Sequence, residues 1–182
     1  MMRFKAIAIA ALFAGSIFAA DVPRKSPEFG FQLPDGKQAT LSSYHGKVVV
    51  LAFILTGCPH CQKATQVLSQ LQRELGPKGF QVLEAAINPD ANIGAFISRF
   101  QPPFPVGTAG QLDALQYMHL SPMVRSFMPY ISFIDREGVI RSQLTGSDLP
   151  DEAQDKVLRD LAENLVNEHS AAHHARPKRA SK

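Results

Sequence analysis

The chain holds two cysteines, and both fall within the stretch Thr56-Gly57-Cys58-Pro59-His60-Cys61. The residues before it, Val48 to Leu55 (VVVLAFIL), form a short, continuously apolar run rich in β-branched side chains and bounded by His45-Gly46-Lys47 and Thr56-Gly57. Such a run predicts a fully buried strand. From Pro59 onward Val67, Leu68, Leu71 and Leu75 fall on one helical face, and the pattern stops at Gly76-Pro77. The cysteines therefore sit where a buried strand hands over to a helix. A helix start offers unsatisfied N–H groups and a partial positive charge, which favour a thiolate on Cys58, while Cys61 lies one turn further on, close enough to close a disulfide. Pro59 suits the first helical turn, where its missing N–H costs nothing.

With 182 residues and 45% hydrophobic content, the chain is long enough for one domain with a proper core and too short for two. The net charge of +3 is carried by the ends. Arg3 and Lys5 stand near the start, and Arg176, Lys178, Arg179 and Lys182 near the end; setting these six aside from the 19 basic residues leaves 13 against 16 acidic ones. A mildly acidic body argues against a nucleic-acid partner.

Residues 1–20 (MMRFKAIAIAALFAGSIFAA) have a short basic start, a long apolar stretch and a small-residue finish, the build of a secretory signal. Cleavage after Ala20 would place Phe18 where a small residue is preferred, so a membrane-tethered, uncleaved form is a second possibility. Export implies a compartment in which a disulfide persists. Residues 21–26 read as an extended linker, 27–168 as the domain, and 169–182, which lack periodicity and large apolar residues, as a disordered basic tail containing His169, His173 and His174.

Within the domain, Phe31 and Leu33, the turn Pro34-Asp35-Gly36-Lys37, and Ala39 to Leu41 predict a small hairpin, followed by a helical turn at Ser42 to Tyr44. After the cysteine helix, Phe80 to Ile87 predicts a second buried strand, giving a βαβ unit with parallel pairing. Ala91 to Phe100 reads as a helix, Gln101 to Val106 as extended because of its prolines, and Leu112 to Leu120 as another short helix. A strand pair, Tyr130 to Ile134 and Val139 to Gln143, turns at Asp135 to Gly138, and a last helix starts near Pro150-Asp151.

This order of elements, with a two-cysteine motif on the first long helix and Pro129 opening a later strand, resembles the thioredoxin-like superfamily, and within it the TlpA/ResA type of exported thiol-disulfide oxidoreductase. The matching residues are Leu33-Pro34-Asp35-Gly36 with Leu41, Gly46-Lys47-Val48-Val49-Val50-Leu51, Cys58-Pro59-His60-Cys61, Phe104-Pro105-Val106, and Pro129 followed by Phe133-Ile134-Asp135-Arg136-Glu137-Gly138. They span roughly residues 27–165. The resemblance implies an α/β thioredoxin-like fold, with a central mixed sheet flanked by helices and an N-terminal β-hairpin extension. It also implies that Pro129 is a cis proline facing the cysteines and that Met128 and Pro129 line the substrate face. Two positions depart from the pattern. Gly57 stands where relatives usually carry a tryptophan, and Ala52 and Ala64 stand where many bury a carboxylate that handles protons for the second cysteine. Glu84, in the next strand, could replace that carboxylate only if it points inward.

The expected chemistry is thiol-disulfide exchange. Cys58, as thiolate, attacks a substrate disulfide, and Cys61 resolves the mixed disulfide. An imidazolium at His60 would favour the thiolate. The dipeptide between the cysteines is the one found in the oxidant DsbA, whereas TlpA-type relatives are mostly reductants, so both directions of electron flow stay open. A static disulfide would close so short a loop that it removes little chain entropy. Thr56 reads as a strand-end residue and not a catalyst. Two other functions compete with this one. A Sco-like copper protein would use Thr56, the cysteines and the tail histidines, but those proteins separate their cysteines by three residues. A peroxiredoxin-like peroxidase needs a threonine three residues before its cysteine, where this chain has Leu55. The sequence therefore predicts an exported, periplasmic or otherwise extracytoplasmic oxidoreductase with no cofactor and no metal. Its partners would be exported protein thiols and disulfides and an unidentified redox partner, with a membrane involved only if the leader stays.

Overall fold

The computed structural model describes residues 22–174, with side chains described as far as Glu168. The expected signal segment 1–20 and the end of the tail, 175–182, lie outside the described residues. Strand β4 (Val48–Ile54) is buried along its whole length, as its unbroken apolar run requires. It pairs in parallel with β5 (Phe80–Ala86) and antiparallel with β7 (Tyr130–Ile134). Around this trio the sheet extends to β8 (Val139–Leu144) and the short β1 (Arg24–Lys25) on one side. On the other side lie β6 (Val106–Thr108) and the hairpin β2 (Gly30–Gln32) with β3 (Gln38–Thr40). The order is β1-β8-β7-β4-β5-β6-β2-β3, one mixed sheet of eight strands.

The side-chain alternation of the central strands sorts the core into two layers. Val48, Val50, Ala52 and Ile54 face a cluster built with α1 (Pro59–Leu75), α2 (Ile93–Phe100) and α4 (Gln154–His174). Val49, Leu51 and Phe53 face the other side, with α3 (Gln111–Tyr117) and the hairpin residues Phe31 and Ala39. Because β6 is short, it leaves Phe80 O and Val82 N of β5 without a strand partner. The Gln72 side chain meets both, donating to Phe80 O at 3.3 Å and accepting from Val82 N at 2.7 Å.

Several boundaries moved from their expected places for identifiable reasons. The supposed linker joins the sheet: Arg24 and Lys25 pair with Ile140 and Val139, so the folded unit begins before residue 27. Helix α2 starts at Ile93 and not Ala91, because the Asn92 side chain caps it by accepting from Ala95 N at 3.0 Å. Helix α3 stops at Tyr117, where His119 takes a left-handed φ of 55° and Leu120 N returns to Leu115 O at 2.8 Å. Residues 151–153 form a turn, so α4 starts at Gln154; it continues to His174, past the boundary drawn at 168. The segment read as simply extended after Gln101 ends in β6, which ties the hairpin to the sheet through Gln32 and Thr108. Gly107 makes this approach possible, since a Cβ there would collide with the Gln32 carbonyl.

Candidate active site

Strand register brings the predicted site residues to one end of the sheet. Phe53 of β4 pairs with Tyr130 of β7, so the chain leaving β4 toward Cys58 and the chain entering β7 from Pro129 meet there. Ile54 pairs in parallel with Ala86, which places Asn88 at the same end. Asn88 then fixes the approach to the motif. Its Oδ1 accepts from Thr56 N at 3.0 Å, and its Nδ2 donates to Thr56 Oγ1 at 3.0 Å. The Gln62 side chain donates to Thr56 O at 2.9 Å. Thr56 is thus an anchored strand-exit residue, as its position suggested.

Cys58 is the N-cap of α1, with Pro59 in the first turn. Its backbone N–H donates to Leu55 O at 3.1 Å, and its carbonyl accepts from Gln62 N at 3.0 Å. Both cysteines are free thiols in this structure; Cys58 is half-buried and Cys61 fully buried. Burial pushes the Cys61 thiol up, with the neighbouring Cys58 and Glu84 adding to the effect and a backbone hydrogen bond at Leu55 opposing it. One thiol is therefore reachable and the other is held protonated behind it. Gly57 is exposed, and a Cβ on it would meet open space. A groove opens there between the motif and α2, floored by Phe96 and Phe100.

His60 lies between the cysteines and faces α4. Its Nε2 is 3.3 Å from Asp151 Oδ1, an ion-pair contact without hydrogen-bond geometry. Lys63 Nζ donates to Asp151 O, and the buried Gln154 donates through Nε2 to His60 O at 3.2 Å. The start of α4 thus grips the motif from outside. These contacts had no signature in the sequence, because residues 151 and 154 are some ninety positions away.

The Met128-Pro129 bond is cis. Pro129 is buried, and Met128 is half-buried against both core layers. Gly146, just beyond β8, backs this corner. Its N–H donates to Phe127 O at 2.6 Å, and a Cβ on it would collide with Met128 O. The loop leading to Met128 exposes Met123, Val124 and Phe127, an unusual concentration of apolar surface.

Glu84 points inward. It shares the alternation of Val82 and Ala86, which belong to the layer containing Cys61, and it is fully buried. Its Oε2 accepts from Thr65 Oγ1 at 3.0 Å, and Thr65 Oγ1 also lies 3.0 Å from Cys61 O. Burial pushes the Glu84 carboxyl up to about 8, against the Thr65 hydrogen bond, which lowers it. Among the described residues, no group of three or more His, Cys, Asp and Glu side chains could hold a metal ion, and no helix is long and apolar enough to cross a membrane. The side chains of His169, His173 and His174 lie outside the described residues.

A mixed sheet with a two-cysteine motif at the start of its first long helix and a cis proline at the same sheet end defines a thioredoxin-like protein. The Redoxin family model matches residues 22–161, and the chain belongs to that family. It is 26% identical over 130 residues to thiol-disulfide oxidoreductase ResA of Geobacillus thermodenitrificans, covering 71% of this chain and 72% of that one. A shorter similarity, 34% over 62 residues, covers 33% of this chain and 30% of probable glutathione peroxidase 8-A of Xenopus laevis. Among solved structures, a thiol:disulfide interchange protein from a Bacteroides species superposes with a TM-score of 0.65 at 21% identity, covering 84% of this chain and 94% of that chain.

Proposed function

We propose that the chain is an exported thiol-disulfide oxidoreductase acting on protein disulfides, with Cys58 as the attacking thiolate and Cys61 as the resolving thiol. The observation that carries this reading is the asymmetry of the pair: a half-buried thiol at the N-cap of α1, and a fully buried thiol one turn behind it. In the reducing direction Cys58 S⁻ attacks one sulfur of the substrate disulfide, forming a mixed disulfide and expelling the first substrate thiolate. Cys61, once deprotonated, attacks Cys58 Sγ, closing the Cys58–Cys61 disulfide and expelling the second thiolate. Two electrons pass from the pair to the substrate, and the two expelled thiolates take up two protons. The oxidising direction is the reverse.

His60 and Pro59 set the surroundings of Cys58, the former with Asp151 against it. Met128 and Pro129 form the opposing wall, where the Met128 backbone is available to pair with an extended substrate. The exposed Met123, Val124 and Phe127 offer apolar contact to a polypeptide rather than to a small disulfide. Export rests on the composition of residues 1–20.

The test is insulin reduction and dithiol oxidation with two variants. Cys58→Ser abolishes turnover in both directions. Cys61→Ser retains attack but stalls as a mixed disulfide, visible as a thiol-sensitive mass adduct. Turnover at the wild-type rate by Cys58→Ser overturns the proposal. The redox potential of the pair then assigns the direction of electron flow.

A further inference from the structure

The groove beside Gly57 carries more than its phenylalanine floor. Arg99, one residue before Phe100 on α2, lines it together with Thr56 and Gly57. The guanidinium carbon of Arg99 stands 5.0 Å from the Phe100 ring centroid. Phe100 is itself braced by Phe96, whose ring centroid is 4.7 Å away. With an open volume of about 270 Å³, the groove falls below the roughly 300–1,000 Å³ of a cofactor or drug-sized ligand site and fits one or two side chains of a polypeptide. Because a Cβ on Gly57 would meet nothing, the groove runs without a wall toward Cys58.

A second arginine-on-phenylalanine pair stands across the motif. In the loop before the cis proline, Arg125 lies 5.3 Å from the Phe127 ring centroid, in the same stretch as the exposed Met123 and Val124. Sheet order puts the two pairs on opposite sides of Cys58: α2 follows β5, one neighbour of β4, and the loop enters β7, the other. A guanidinium is held over a ring by the negative face of the ring and keeps N–H donors for an anion. Both arginines are exposed, and neither guanidinium makes an ion pair or a hydrogen bond among the described residues. Two carboxylates at this end are already engaged: Asp90 accepts from Asn88, and Asp151 stands against His60. Acidic residues outnumber basic ones in the body of the chain, so two unpaired arginines flanking the reactive thiol mark a charge that a partner must complement.

We propose that Arg99 and Arg125, each seated on its phenylalanine, select polypeptide substrates that carry carboxylates on both sides of the reacting cysteine, with aromatic or other apolar residues among them. This rests on the oxidoreductase reading above and names the substrate class for the same site. With the substrate cysteine at Cys58, an extended chain paired to the Met128 backbone passes from the loop before Pro129 to the groove at α2. Its carboxylates meet the two guanidinium groups, and its apolar side chains meet Phe127 at one end and the floor of Phe96 and Phe100 at the other. Arginine suits this task because its planar fork takes both oxygens of a carboxylate. Each exposed contact of this kind is worth about twofold to fivefold, so the two together set a preference of about tenfold.

The probes are short synthetic peptides, each with one cysteine joined to a chromogenic aryl thiol and flanked on both sides by phenylalanine and by either glutamate, glutamine or lysine. The reduced full chain attacks them: Cys58 S⁻ bonds to the peptide sulfur and expels the coloured aryl thiolate. Each second-order rate is divided by that for a small uncharged aryl disulfide, which reports thiolate reactivity alone. At low salt the wild type favours the glutamate peptide over the lysine peptide by about tenfold, with glutamine between. At about 1 M salt the ratio falls within about twofold, since the screening length there is about 3 Å. Arg99→Gln with Arg125→Gln brings the ratio within about twofold at low salt, each single variant loses part of it, and Arg99→Glu with Arg125→Glu inverts it. A wild-type ratio near one overturns the proposal and needs no variant to fold. A preference that survives in the double glutamine variant also overturns it, and assigns the effect to the basic residues near the chain ends. Absence of aryl thiolate release from every peptide and from the small disulfide counts against the oxidoreductase reading itself. Release without any charge preference sinks the substrate class alone and leaves that reading intact.

Discussion

At the residue scale the two cysteines differ because one helical turn separates a surface from a core. Cys58 caps α1 at the sheet's end, whereas Cys61 is wholly enclosed, and enclosure disfavours its thiolate. Alkylation of the dithiol form by iodoacetamide should therefore stop at one adduct on Cys58, read by mass spectrometry of peptides; comparable labelling of both thiols near neutral pH would contradict the geometry. Gly146 presents a different single-residue constraint. Any side chain there meets the Met128 carbonyl, so Gly146→Ala should displace the Met128-Pro129 corner. The expected outcome is a loss of protein-disulfide turnover of roughly tenfold, with a destabilisation of about 1–3 kcal/mol from overpacking. Unchanged kinetics with an unchanged melting temperature would show that the corner yields freely.

At the scale of elements, the two cysteines and the run before them were legible because they obey local rules. An unbroken apolar run made β4 a central strand, and Pro59 marked the start of α1. The cis state of Pro129 was reached through family resemblance and not through local pattern. What escaped were pairings whose cause lies far along the chain: Asn88 holding Thr56, Gln154 holding His60, and the short β6 held between β5 and β2. Side-chain amides of this kind carry no periodicity; the register of β4 against β5 brings Asn88 to Thr56, and the packing of α4 beside α1 brings Gln154 to His60. The inward direction of Glu84 was conditional in the sequence, since both faces of β5 are buried and alternation of polar residues is lacking there. The loop before Met128 makes the element-scale prediction. Phe127→Ser should raise KM for a protein disulfide by about threefold to tenfold, the worth of roughly 1 kcal/mol of apolar contact, while leaving reduction of a small aryl disulfide unchanged. Equal effects on both substrates would mean that the loop serves the motif's structure and not substrate contact.

For the whole molecule, the buried carboxyl links pH to stability. Folded Glu84 keeps its proton up to about 8, while in the unfolded chain it releases it near the ordinary value of 4.5. Below about 4.5 both states are protonated and the group carries no penalty. As pH rises from there through 8, unfolding releases a proton, so folding stability falls continuously across that window. The accumulated loss is on the order of a few kcal/mol, a large share of what a domain of this size possesses. Asp35, Glu74 and Asp90 move in the other sense, their carboxyls held low by hydrogen bonds to Lys37, Arg159 and Asn88, but they are solvent-exposed and act only as pH falls toward the acid range. Cys61 adds its own loss only above its ordinary value of 9.0. Denaturant unfolding of the dithiol form at about pH 5 and about pH 8.5 should thus show the wild type weakening between the two, and Glu84→Gln holding nearly level. The variant would be the more stable protein at the higher pH. A buried carboxyl whose Oε1 has no hydrogen-bond partner costs more the further it is driven to ionise, so the stability difference between the two proteins should widen as pH rises through that window.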